Sequence, residues 1–137
     1  MIYMSISPKN RSAIVELTQN SDKLIYMRLK EWLEDEILAG SFPENTQIPS
    51  VAELSVSFKL NHITVLKSVN MLSDAGILYK KRGIGTFVAE GAAEKIRNER
   101  HSEFYQKYIV SMILEAKKLG ITADELLKMT ERGYHNE

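Results

Sequence analysis

The stretch KKRGIGTFVAEG, Lys80 to Gly91, places Lys80, Lys81 and Arg82 directly before two glycines one residue apart, Gly83 and Gly85. Two chemistries suit such a run. A glycine loop can cradle phosphate on its backbone N–H groups, but it needs a helix N-terminus immediately afterwards. A basic β-hairpin can instead bring cations to the phosphates that flank a minor groove, with glycines permitting close backbone approach. Thr86, Phe87 and Val88 follow at once, a β-branched and aromatic run, so the hairpin is the expectation. A second polar set lies upstream in His62, Ile63, Thr64 and Lys67. Thr64 can donate to a phosphate or meet a thymine methyl, and Lys67 can reach a phosphate oxygen or a guanine edge.

The elements that must position these residues follow from periodicity. Ile25, Leu29, Trp32, Leu33 and Ile37 recur at three- and four-residue steps between Asp22 and Gly40, which predicts an amphipathic helix ending at that glycine. The segment SFPEN has loop chemistry. Ser50 with Glu53 is a capping box, so a short helix should run from there to about Phe58. After the short turn KLN, Asn61 caps a further helix whose buried stripe is Val65, Val69 and Leu72 and which stops at Gly76. His62, Ile63, Thr64 and Lys67 fall on the opposite face. Two short helices so joined, followed by the hairpin ILYKK–RGI–GTFVA, are a helix-turn-helix pattern rather than a generic helical hairpin.

From Ala92 to about Leu119 a long helical pattern carries Tyr105, Ile109, Met112, Ala116 and Leu119 at steps of four, three, four and three, the spacing of a heptad seam. Gly120 ends it, Thr122 with Glu125 forms a second capping box, and a short final helix should reach about Arg132. The aromatics Phe104, Tyr105 and Tyr108 suit a packed dimer seam better than a ligand box. Residues 1–21 form an N-terminal extension in which AIVEL could be a short strand, and residues 1–12 carry no assignment.

Composition narrows the function. The chain has 137 residues, 44% of them apolar, enough for one ordinary domain and a small appendage. With no cysteine, disulfides and thiolate metal sites are excluded. His101 and His135 have no partner at metal-ligand spacing, and no nucleophile–base pair suggests catalysis. The start MIYMSISPKNRS lacks the pattern of a secretion signal, and no apolar run approaches the roughly 18 residues of a spanning helix, so a cytoplasmic location without membrane contact is expected. Lys and Arg balance Asp and Glu at 18 each. Residues 59–89, however, hold Lys59, Lys67, Lys80, Lys81 and Arg82 against Asp74 alone, a locally basic segment in a neutral chain.

The order of IPSVAEL, the turn, and LNHITVLKSVNMLSDAGILYKKRGIGTFVA resembles the winged helix-turn-helix of the GntR family of bacterial transcriptional regulators, over roughly residues 22–89. The resemblance rests on Pro49-Ser50, Thr64-Val65, Leu72, Gly76 and the run Gly83, Gly85, Thr86, Phe87 and Val88. It implies a mainly α fold with a β-hairpin wing, a DNA-binding domain at 22–89, and a two-helix dimerisation module at 90–137. The length of that last part resembles the YtrA-like subfamily. The implied DNA-facing residues are Ser50, His62, Ile63, Thr64, Lys67, Lys80, Lys81, Arg82 and Gly83, and the implied dimer seam is the heptad set. The expected function is a DNA-binding regulator, a repressor by preference, acting without a cofactor as a homodimer on a double-stranded operator with two half-sites. Two alternatives stand beside it: a winged-helix adaptor for proteins, and a regulator gated by a small-molecule effector between the C-terminal helices. The chain departs from the family pattern at Ala52 and His62, where arginine is usual, and at Ile84, where a cation is common. All three remove fixed positive charge from the expected DNA face.

Overall fold

The computed structural model describes residues 22–136, so the AIVEL segment and the rest of the N-terminal extension lie outside the described residues. The chain forms two compact units that divide after Arg97.

In the first unit, helix α1 (Asp22–Leu38), α2 (Val51–Phe58) and α3 (His62–Asp74) precede a two-stranded antiparallel hairpin, β1 (Leu78–Lys81) and β2 (Gly85–Val88), and the start of α4 (Ala92–Phe104). The predicted stripes are the ones that bury. Ile25, Leu29, Leu33 and Ile37 of α1 meet Leu54 and Phe58 of α2 and Val65, Val69 and Leu72 of α3 in one core. Ile77, Leu78 and Val88 close it from the base of the hairpin, and Ala92 and Ile96 close it from the first turns of α4. Trp32 packs edge-on against Phe42 and Phe58, with ring centroids 6.0 and 4.8 Å away, which fixes α1 over the C-terminal end of α2. Among the described residues two polar side chains are buried as well, Glu34 of α1 and, most deeply, Ser68. It is fully buried in α3, and its hydroxyl donates to the Tyr26 carbonyl of α1 at 2.6 Å, so the pair of helices is pinned as well as packed.

Capping fixes where α2 and α3 start. Ser50 Oγ accepts from Glu53 N and Glu53 Oε1 accepts from Ser50 N, both at 3.0 Å, the reciprocal arrangement expected of a capping box. Asn61 Oδ1 accepts from Ile63 N at 2.8 Å. Between the helices Lys59 adopts φ +55°, and Leu60 N donates to Ser55 O at 3.0 Å, which turns the chain within three residues.

The hairpin has a third member that loop composition concealed. Val88 N donates to Thr46 O at 3.0 Å, Ile48 N to Thr86 O at 2.9 Å, and Asn45 N to Val88 O at 2.7 Å, while Gln47 and Phe87 form an antiparallel bridge. Residues 45–48 thus cover the outer edge of β2. Pro43 and Asn45 point a sequence reader to a turn, which exists, but pairing begins directly after it.

In the second unit the helical run is interrupted. A π-helical turn spans Tyr105–Val110, followed by α5 (Ser111–Lys118) and α6 (Ala123–Asn136). The expected single helix from Ala92 to Leu119 is therefore corrected, because a widened turn sets the phase of α5 back by roughly 100°, one residue's worth, relative to α4. Ala116 is buried and Ile109 half-buried, whereas Tyr105, Met112 and Leu119 are exposed, so the five heptad residues separate into two groups. The Thr122–Glu125 capping box forms as expected, with Glu125 N donating to Thr122 Oγ1 at 3.2 Å. The final helix runs past Arg132 to Asn136, since Gly133 does not take the positive φ with which a glycine would end it.

Candidate nucleic-acid interface

Three pieces of the first unit carry the polar residues singled out from sequence. They are the N-terminal ends of α2 and α3 and the tip of the hairpin. Ser50 is exposed, although its hydroxyl oxygen is engaged as the α2 cap. His62 opens α3 exposed and Ile63 follows at 73% exposure, while Thr64 is half-buried. Because α3 presents its N-terminal turn, the positive end of its dipole accompanies these side chains.

The cations are oriented by neighbours that sequence reading did not identify. Lys67 is exposed, with its ammonium 4.2 Å from the centroid of the Tyr26 ring of α1. Lys80 Nζ donates to Asn70 Oδ1 of α3 at 2.5 Å, which ties the hairpin to the helix beside it. Lys81 Nζ lies 4.5 Å from the Phe87 ring centroid, and Phe87 in turn stacks on Tyr79 with centroids 5.7 Å apart. Tyr26 directly follows Ile25, off the apolar stripe of α1, and Asn70 looks like an ordinary helix-surface residue, so neither carries a signal in the sequence. Tyr79 and Phe87 do, being directly opposite in the strand register.

Arg82, Gly83 and Ile84 form the exposed turn between the strands. Gly83 has φ +77° and Gly85 φ +153°, values that L-residues rarely adopt. At Gly85 a Cβ would also collide with the Gln47 side chain. That answers why two glycines stand one residue apart. The first makes the turn, and the second makes it while admitting Gln47.

The structure thus brings His62, Ile63, Thr64 and Lys67 together on α3 and joins that helix to Lys80 on the wing. Tyr105, Ile109, Met112, Ala116 and Leu119 belong to the other unit. Among the described residues no cluster of His, Asp or Glu is arranged to hold a metal ion, and no helix is long and apolar enough to cross a membrane.

A three-helix core, a helix-turn-helix with both of its helices capped and a basic hairpin beside it define a winged helix-turn-helix protein. The model of the bacterial regulatory proteins of the gntR family matches residues 25–88. A transcriptional regulator of that family from Bacteroides thetaiotaomicron, known from its crystal structure, is 35% identical to this chain with a TM-score of 0.65, covering 81% of this chain and 96% of that one. The chain belongs to the GntR family, and it is a DNA-binding transcriptional regulator. It is also 27% identical over 108 residues to the HTH-type transcriptional regulator YhcF of Bacillus subtilis, spanning 88% of that protein. Similarity to the histidine utilization repressor of Klebsiella aerogenes reaches 35% identity over 65 residues, but spans only 27% of that longer protein.

Proposed function

We propose that the protein is a cytoplasmic repressor that binds an operator of two half-sites as a homodimer. The observation that carries the DNA-facing assignment is the single surface on which the exposed first turn of α3 and the wing cations meet, joined by the Lys80–Asn70 hydrogen bond. On this reading α3 enters the major groove, with His62, Ile63 and Thr64 at base edges and Lys67 at the backbone. Ser50 stands at the phosphate beside the α2 N-terminus, and Lys80, Lys81, Arg82 and Gly83 follow the backbone next to the adjacent minor groove. Repression is inferred from the relatives named as repressors, which share this part of the chain.

Dimerisation is the role proposed for residues 90–137, as a YtrA-like pair of helices that follows the wing in the chain. Support comes from apolar side chains left in solvent by the second unit, among them Tyr105, Met112 and Leu119. A single module of this size covers too little DNA for tight binding, and a second copy supplies the rest at high effective concentration.

The test is selection of bound duplexes from a random pool, followed by affinity measurement across salt. The expected result is enrichment of one sequence with two related halves, bound with a steep inverse dependence on salt. Absence of enrichment together with salt-independent retention would refute the DNA-facing assignment. Enrichment of a lone half-site would refute the dimeric operator.

A further inference from the structure

We propose that Ile84 is a specificity-determining residue: its apolar side chain enters the minor groove at the flank of each half-site and rejects the guanine 2-amino group, selecting A·T or T·A pairs there. This rests on the DNA-facing reading above and names a base preference that reading leaves open.

A lone exposed isoleucine on a protein surface normally means nothing. Ile84 differs in how it is held. It is 64% exposed at the apex of the wing, yet both of its backbone polar groups are bonded within the domain. Its N–H donates to Lys81 O at 2.9 Å, and its carbonyl accepts from Gln47 Nε2 at 3.0 Å. Gln47 belongs to the segment paired with β2, so the tip is braced from the third member of the sheet. Gly85 has no Cβ, and that is what leaves room for this amide. A β-branched residue adds a stiff χ1 to a fixed backbone. The result is a pre-shaped apolar probe, separated only by Gly83 from Lys80, Lys81 and Arg82, whose charge complements the two phosphate walls of a narrow groove.

Minor-groove chemistry determines what such a probe can read. A·T and T·A pairs present only acceptors there, and an apolar side chain can fill the space above them. A G·C pair adds the guanine 2-amino donor to the groove floor. Isoleucine has no acceptor to offer that donor, so pressing the wing tip onto it strips a hydrogen bond to water without replacement. Ile84 therefore separates A·T from G·C while treating A·T and T·A alike. An arginine or lysine at the same place would act mainly through charge.

Base analogues isolate this effect from major-groove reading. In the most enriched duplex from the pool, each A·T pair is replaced in turn by G·C, by inosine·C, which lacks the 2-amino group, and by 2,6-diaminopurine·T, which adds it. At the flanking pairs under the wing, G·C and diaminopurine·T are expected to weaken binding by roughly tenfold, the low end of a single-pair effect, and inosine·C to bind like A·T. Ile84→Ala should collapse that ratio and leave the salt slope unchanged, since no phosphate contact is lost. Gln47→Ala, which removes the brace rather than the probe, should reduce the ratio without altering the circular dichroism. Inosine·C behaving like G·C at every position, or a ratio that persists in Ile84→Ala, would overturn the proposal while the salt-dependent complex stands. A chain that enriches no duplex and binds without salt dependence would take both readings down together.

Discussion

Replacing Lys81 and Arg82 together by alanine tests the wing with little risk to the fold. Both side chains are exposed, and Lys81 stands opposite Gly85 at the turn end of the strand ladder, away from the core. The internal interaction lost is the contact of Lys81 with the Phe87 ring, worth about 0.5 to 1 kcal/mol at an exposed site. The DNA effect is larger and has a distinctive form. Each phosphate contact contributes about 0.9 to the slope of log affinity against log salt, so two contacts per half-site contribute about 1.8. Over the fourfold interval from about 50 to 200 mM salt, that slope corresponds to a factor of about 12 on one half-site and about 150 on a dimer that loses four contacts. The wild-type advantage should therefore shrink by those factors as salt rises. Fluorescence anisotropy of a labelled selected duplex, titrated at several salt concentrations, reads the two slopes directly. Parallel lines for wild type and variant would refute the reasoning, because a wing that touches phosphate cannot lose two cations without a change of slope.

Two further outcomes concern the scaffold and the second unit. Ser68→Ala removes the buried hydroxyl that donates to Tyr26 O and should destabilise the first unit by about 0.5 to 1.5 kcal/mol in urea denaturation, with an unchanged m-value; a variant as stable as wild type would mean that packing alone holds α3 to α1. Leu119→Lys places a cation at an exposed position at the C-terminal end of α5, where it suits the helix dipole, so the helix should persist while sedimentation at micromolar concentration shifts from dimer to monomer; a wild-type monomer, or a variant that remains dimeric, would count against the proposed interface.

The first unit was readable from sequence to the extent that single elements define themselves. The stripes of α1 and α3 bury because three- and four-residue steps put Leu29, Leu33, Val65 and Val69 on one side of their helices, whatever lies opposite. Ser50–Glu53 and Thr122–Glu125 are likewise local, each box closing within four residues. Contacts between elements were not readable. Nothing in SFPENTQI announces that residues 45–48 pair with β2, because an edge pairing of four residues leaves too short an alternation to register. Tyr26, Asn70 and Gln47 matter through partners 41, 10 and 37 positions away. The π turn is invisible for another reason. Apolar residues at heptad spacing report a helix, but the pattern does not say whether each turn closes on its fourth or its fifth residue.

Those long-range partners bear on how a chain with no net charge can hold DNA. Ala52, His62 and Ile84 stand where the family pattern would lead one to expect cations, so the proposed face works with few charges. Three of them are already oriented: Lys67 by the Tyr26 ring, Lys80 by Asn70, and Lys81 by the Phe87 ring. A free lysine side chain loses up to about 2 kcal/mol of rotamer entropy when fixed. A lysine leaning on an aromatic ring has lost part of that before any ligand arrives. Its ammonium still keeps donors for a phosphate, because a ring face engages the charge without consuming all three N–H bonds. Lys80 is held differently, by a hydrogen bond, and must share or exchange its Asn70 partner on binding. The two aromatic-braced lysines are therefore the ones suited to contribute most per charge, and they flank the recognition surface from α3 and from the wing. Pre-orientation of this kind lets a small number of cations, concentrated in residues 59–89, do what a more basic surface would achieve with a larger number of mobile ones.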